Sequence, residues 1–159
     1  MLFNLIEVVH VIGAAVLFGT GIGTALYMVM ANRTKNVAII AKAAANVVNA
    51  DWIFTGTAAI IQPITGLAMV YLKGYSLMAF WVWGSIVGYI IAGLFWLPVV
   101  YMQIRLRDMA VQALEGNLPL PRQYYRIFRY WMLCGFPAFS SLVVVFFLMA
   151  NGPTSAILN

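Results

Sequence analysis

Four long apolar stretches decide what this chain can fold into. A helix rises 1.5 Å per residue, so ~20 apolar residues cross the ~30 Å hydrocarbon core of a bilayer. Segments of about that length occupy residues 2–30, 51–72, 77–103 and 124–150. Charged side chains make up only 8% of the 159 residues. A soluble domain carries about 25%. Too few polar groups are present to cover the surface, so lipid must solvate it. The expected fold is all-α: a single transmembrane domain over residues 1–159, forming a four-helix bundle. Short connections make successive spans antiparallel neighbours, in up-down-up-down order.

Local signals mark the ends of the spans. The N-terminus, MLFNLIEVVH, lacks the basic start of a signal peptide and reads as the first span. Arg33, Thr34 and Lys35 stop that span. The weakly amphipathic stretch 36–49 contains Lys42. It reads either as a helix on the inner surface or as a long start to the second span. Asp51 is placed to cap the second span and complement its dipole. Lys73 and Gly74 end it. The third span continues into a polar helix over 104–116, which Asn117 to Pro121 breaks.

Basic residues orient the bundle, because cytoplasmic connections are enriched in Lys and Arg. Arg33, Lys35 and Lys42 lie in the first connection. Arg105, Arg107, Arg122, Arg126 and Arg129 lie in the third, and only Lys73 lies on the opposite side. The count is 3 + 5 = 8 against 1, so both termini are expected outside. The net charge of +5 is thus first a topology signal. It does not point to nucleic acid, since the basic residues flank apolar spans. Arg122, Arg126 and Arg129 share a helical face interleaved with Tyr124, Tyr125, Tyr130 and Trp131, the pattern of an inner interface belt on anionic headgroups. The single Cys134, with no CxxC or CxxCH, excludes an intrachain disulfide, a thiolate cluster and a covalent c-type haem.

His10 is the only histidine. It lies ~10 Å along the first helix, in the outer leaflet on this topology. An ionisable residue inside a span usually faces the bundle interior or a cofactor. Two readings follow: a histidine hydrogen-bonded across helices, or a ligand to haem iron. Gly13, Ala14, Leu17, Gly21 and Thr24 follow at steps of three and four. This small-residue stripe suits close approach of a flat macrocycle or of another helix. Gly19/Gly23 and Gly84/Gly88 are GxxxG pairs, a helix-packing pattern. Glu7, one turn before His10, reads as an acceptor that holds the histidine tautomer, as a proton relay near the outer surface, or as an interfacial acid near a helix N-terminus. Lys73 is the one basic side chain on the His10 side, within reach of a haem propionate there; as an interfacial lysine it snorkels to the headgroups. The arginines lie across the bilayer, ~30 Å away. Met69, Met78 or Met149, a second copy of His10, or no residue at all complete the iron coordination. Pro63 and Pro137 kink their spans.

Several stretches resemble an uncharacterised family of predicted bacterial integral membrane proteins. Pro63 to Gly66, Lys73 to Leu77, Trp96 to Asp108 and Gly135 to Phe139 carry the likeness, which covers most of the chain. A more distant similarity is to HemJ-type protoporphyrinogen oxidases and copper-resistance D-type membrane proteins. It rests on His10 to Gly13 in the first span and on Pro137 with Leu142 to Leu148 in the last. That resemblance implies that His10 is a b-haem ligand.

Three functions compete. The first is a haem b-binding inner-membrane protein with a redox or electron-transfer role, its site formed by His10, Gly13, Leu17 and Lys73. In the second, a non-enzymatic accessory subunit packs against a larger membrane complex or a second copy through its GxxxG surfaces. Transport is third, disfavoured because no internal repeat or set of intramembrane charges is evident.

Overall fold

The computed structural model describes residues 1–155, with side chains as far as Gly152. Among the described residues the chain is all helix and turn. Helix α1 spans Leu2–Arg33, α2 Val37–Ala50, α3 Thr57–Lys73, α4 Phe80–Glu115 and α5 Arg122–Ser155. A six-residue π-helical segment, Asp51–Gly56, joins α2 to α3 without a break. Four helical stretches are long and apolar enough to cross a membrane: Leu2–Arg33, Val37–Lys73, Phe80–Glu115 and Arg122–Gly152.

The stretch 36–49 is therefore the long start of the second span. Asn36 caps it, its side chain accepting from the amides of Ala38 at 2.9 Å and Ile39 at 3.2 Å. The expected cap at Asp51 is corrected by this continuity. Asp51 sits in mid-helix and is buried, so its carboxyl serves a tertiary contact rather than a helix end. At the far end, Gly74 takes the left-handed conformation at φ 68°, which costs glycine little. The amide of Tyr75 then returns to the carbonyl of Val70 at 3.1 Å and closes the helix.

The bundle is built from two helical pairs. Helix α1 packs along α3, and α4 packs along α5 over most of its length. Gly88 explains part of the second pairing: a Cβ there would lie 2.7 Å from Cγ2 of Val145, and the Ser141 hydroxyl donates to the Gly88 carbonyl at 2.7 Å. The Gly84/Gly88 surface is thus used within the chain. The pairs are joined at the arginine-bearing end, where α2 lies against α4. Met28, Ile40, Val47, Leu106, Tyr124 and Trp131 form a dry core there. Towards the opposite end the lipid-facing side chains dominate, as the exposure of Ile60, Leu94 and Phe147 illustrates.

Candidate functional site

Two polar nodes interrupt the apolar interior. The first is built on His10. His10 is 7% exposed, its ring turned from α1 towards α3. Nδ1 lies 2.8 Å from the hydroxyl of Thr65. That hydroxyl donates its one proton to the carbonyl of Ile61 at 2.8 Å, with the Gln62 carbonyl at 3.2 Å. It is then left to accept from the ring. That arrangement suits the tautomer with its proton on Nδ1 and a lone pair on Nε2. One turn earlier, the Gln62 side chain donates to the His10 carbonyl at 2.8 Å. Gly66 makes room for the imidazole: a Cβ there would stand 3.3 Å from Cε1. The run Pro63 to Gly66 is thus the wall against which His10 rests, and Pro63, inside α3, interrupts the backbone ladder beside it.

The other expected site residues are spread out. Gly13 abuts the Gln62 side chain, which fills the space a Cβ would take. Leu17 lines a separate cavity that His10 does not line. Lys73 is exposed, its ammonium 4.3 Å from the centroid of the Phe3 ring. Glu7 is exposed and makes no hydrogen bond to His10 among the described interactions. Thr65 supplies the contact to Nδ1. No group of three or more His, Cys, Asp or Glu side chains suited to a metal ion occurs among the described residues.

The second node centres on Asp51, 6% exposed. Its Oδ2 accepts from the Gln103 amide at 2.7 Å, and Gln103 Oε1 accepts from the indole N–H of Trp131 at 3.2 Å. Three spans thereby meet in one chain of hydrogen bonds. The only ion pair among the described residues is Arg107 with Asp108, so Asp51 has no cationic partner there. Above this node a cavity of about 480 Å³ separates the two helical pairs. Its wall runs from Gln103 to Tyr89 on α4, about 20 Å at the helical rise. The Tyr89 hydroxyl crosses it and donates to the carbonyl of Ala59 at 2.7 Å. Sequence reading passed over this node because its members lie far apart in the chain. One signal was available: Gln103 and Asp51 each put a hydrogen-bonding side chain into an otherwise apolar run.

Residues 4–153 match the family described as Predicted integral membrane protein (DUF2269). The chain belongs to this family. No curated protein and no solved structure matches it. The DUF2269 match covers all four spans and both nodes, and agrees with an integral, multi-pass protein in a lipid bilayer.

Proposed function

We propose that this DUF2269 protein binds haem b through His10 and has a redox or electron-transfer role in a bacterial inner membrane. The observation that carries the reading is the 2.8 Å contact between Nδ1 of the buried imidazole and the Thr65 hydroxyl. In the tautomer that donates from Nδ1 to Thr65, Nε2 is the atom that would ligate iron. Metal-ligating histidines typically donate their other ring N–H in this way. The donor set favours haem over a bare metal ion. Zinc and copper sites need three or four protein ligands, and His10 has no such company among the described residues. Haem brings four nitrogens of its own and asks the protein for one or two.

When bound, haem iron supplies one-electron chemistry. The protein's part is to hold and orient. Thr65 meets Nδ1 and orients the ring, Gln62 ties the His10 backbone to α3, and Gly66 lets the imidazole sit close to α3. Gln62 fills the face at Gly13, so a haem held by His10 would not rest there. Lys73 is free of carboxylate partners among the described residues and available to a propionate. The test is reconstitution of the purified protein with haem b. His10→Ala is expected to abolish the Soret band, and Thr65→Val to weaken haem affinity about 10- to 100-fold. A full band in His10→Ala removes the reading.

A second reading, an accessory subunit or homodimer, has one observation in its favour. Around Gly19 and Gly23 nothing lies within 4 Å of where a Cβ would be, unlike Gly84 and Gly88. Small residues left open on a span are the surface a further helix uses. Gly19→Leu is expected to break co-purification of a partner or the dimer under this reading, with haem content unchanged.

A further inference from the structure

Helix α3 is held to the rest of the bundle unevenly. It packs along α1, but neither α4 nor α5 packs along it. At the arginine-bearing end the two helical pairs share the dry core of Met28, Ile40, Val47 and Leu106. Beyond that core the cavity lies between them. Two side-chain contacts bridge the gap there. Phe18 on α1 meets Phe139 on α5 with ring centroids 4.5 Å apart. The Tyr89 hydroxyl on α4 donates to the Ala59 carbonyl on α3 at 2.7 Å. The first contact is apolar and has no fixed direction, so the rings can slide. The second is a hydrogen bond, which is made in a narrow geometry or not at all.

The sequence of α3 creates the acceptor for that bond. Each carbonyl in a helix accepts from the N–H four residues later. Pro63 stands four residues after Ala59 and has no N–H. The Ala59 carbonyl therefore lacks its helical donor, at a depth where lipid offers no replacement. Tyr89, half-buried and 30 positions away, supplies one from the other helical pair.

The root of α3 is the least regular part of its span. Asp51–Gly56 is π-helical, a wide turn that often marks a functional site. Its first residue is pinned, because the Asp51 carboxylate accepts from Gln103 on α4 at 2.7 Å. The base of α3 is thus fixed. Above it lie a wide turn, a proline and one hydrogen bond to the facing pair.

We propose that Tyr89 is a latch. Its hydroxyl, seated on the carbonyl that Pro63 frees, holds the α1–α3 pair against the α4–α5 pair. On release, the halves remote from the arginines part about the π-helical segment and widen the cavity towards lipid, while the arginine-bearing core stays packed. The device does not depend on haem at His10.

The test uses the full chain in nanodiscs on a Cys134→Ser background, with distances between paired spin labels. One pair, Leu67→Cys on α3 with Phe147→Cys on α5, reports the remote halves. The other, Ile39→Cys on α2 with Tyr125→Cys on α5, reports the core. All four positions are exposed. Tyr89→Phe is expected to raise the ratio of long to short distances in the first pair about tenfold, the loss of roughly one hydrogen bond, and to leave the second pair unchanged. In a Pro63→Ala background the same replacement should change the ratio by no more than about twofold, because the amide of the new alanine reclaims the Ala59 carbonyl. The latch is overturned if Tyr89→Phe leaves the first pair unchanged, or if both pairs lengthen together, which is general loosening. An equal effect in the two backgrounds also overturns it, since the acceptor would then owe nothing to Pro63. Should Pro63→Ala not fold, the comparison of the two label pairs in Tyr89→Phe alone decides.

Discussion

Thr65 makes the contact to the His10 ring, although it was Glu7 that the sequence offered for the task. The reason is geometric. A residue one turn away on the same helix shares a face, but Glu7 is exposed and Thr65 faces the ring from the neighbouring span. Gly66→Ala tests how tightly the ring is seated. Its Cβ would come 3.3 Å from His10 Cε1, closer than ordinary contact. The expected result is a haem affinity reduced several-fold and a shifted Soret maximum, with the helical content unchanged by circular dichroism. At the other node, Gln103→Leu strands the Asp51 carboxyl and the Trp131 indole together. Each loss costs about 1–3 kcal/mol. Thermal unfolding in detergent should therefore show a clear fall in the midpoint, larger than for substitution of an exposed residue such as Leu94. His10 was legible in the sequence because a lone histidine in a span demands a reason. Asp51 and Gln103 were not paired in advance, since 52 positions separate them and no local pattern joins them.

Among the elements, the four spans were legible because lipid imposes one length and one polarity on each. The π-helical segment was not. Hydropathy does not distinguish a wide turn from an ordinary one, and Asp51 at the start of an apolar run looks like a cap. The two GxxxG pairs also read alike, yet only one is consumed inside the chain. Gly88 meets Val145 and Ser141, whereas Gly19 and Gly23 meet nothing. Gly88→Ala is expected to destabilise the α4–α5 pairing by about 1–3 kcal/mol through overpacking. Gly93→Ala, with nothing within 4 Å of its Cβ, should leave stability unchanged or slightly raised. A comparison of the two by steric-trap or thermal unfolding checks the assignment.

For the molecule as a whole, charge placement orients what the helices only align. With eight basic residues against one, Ser76 is expected outside and Lys42 inside. On a Cys134→Ser background, Ser76→Cys should react with an impermeant maleimide in intact cells, and Lys42→Cys only after permeabilisation. The reverse pattern would invert the bundle and place His10 in the cytoplasmic leaflet. The two nodes lie at different depths: Leu17, the cavity residue on α1 nearest to His10 in sequence, is seven positions on, about 10 Å along the helix. One bundle thus holds a buried imidazole near one end and an apolar, aromatic-lined cavity towards the other. The most direct measurement is the absorption spectrum of the purified protein after incubation with haem b, oxidised and reduced, beside that of His10→Ala. A Soret band with a reduction-dependent shift in the wild type, absent from the folded variant, is the predicted result. A wild type without the band, or a variant that keeps it in full, contradicts haem ligation by His10.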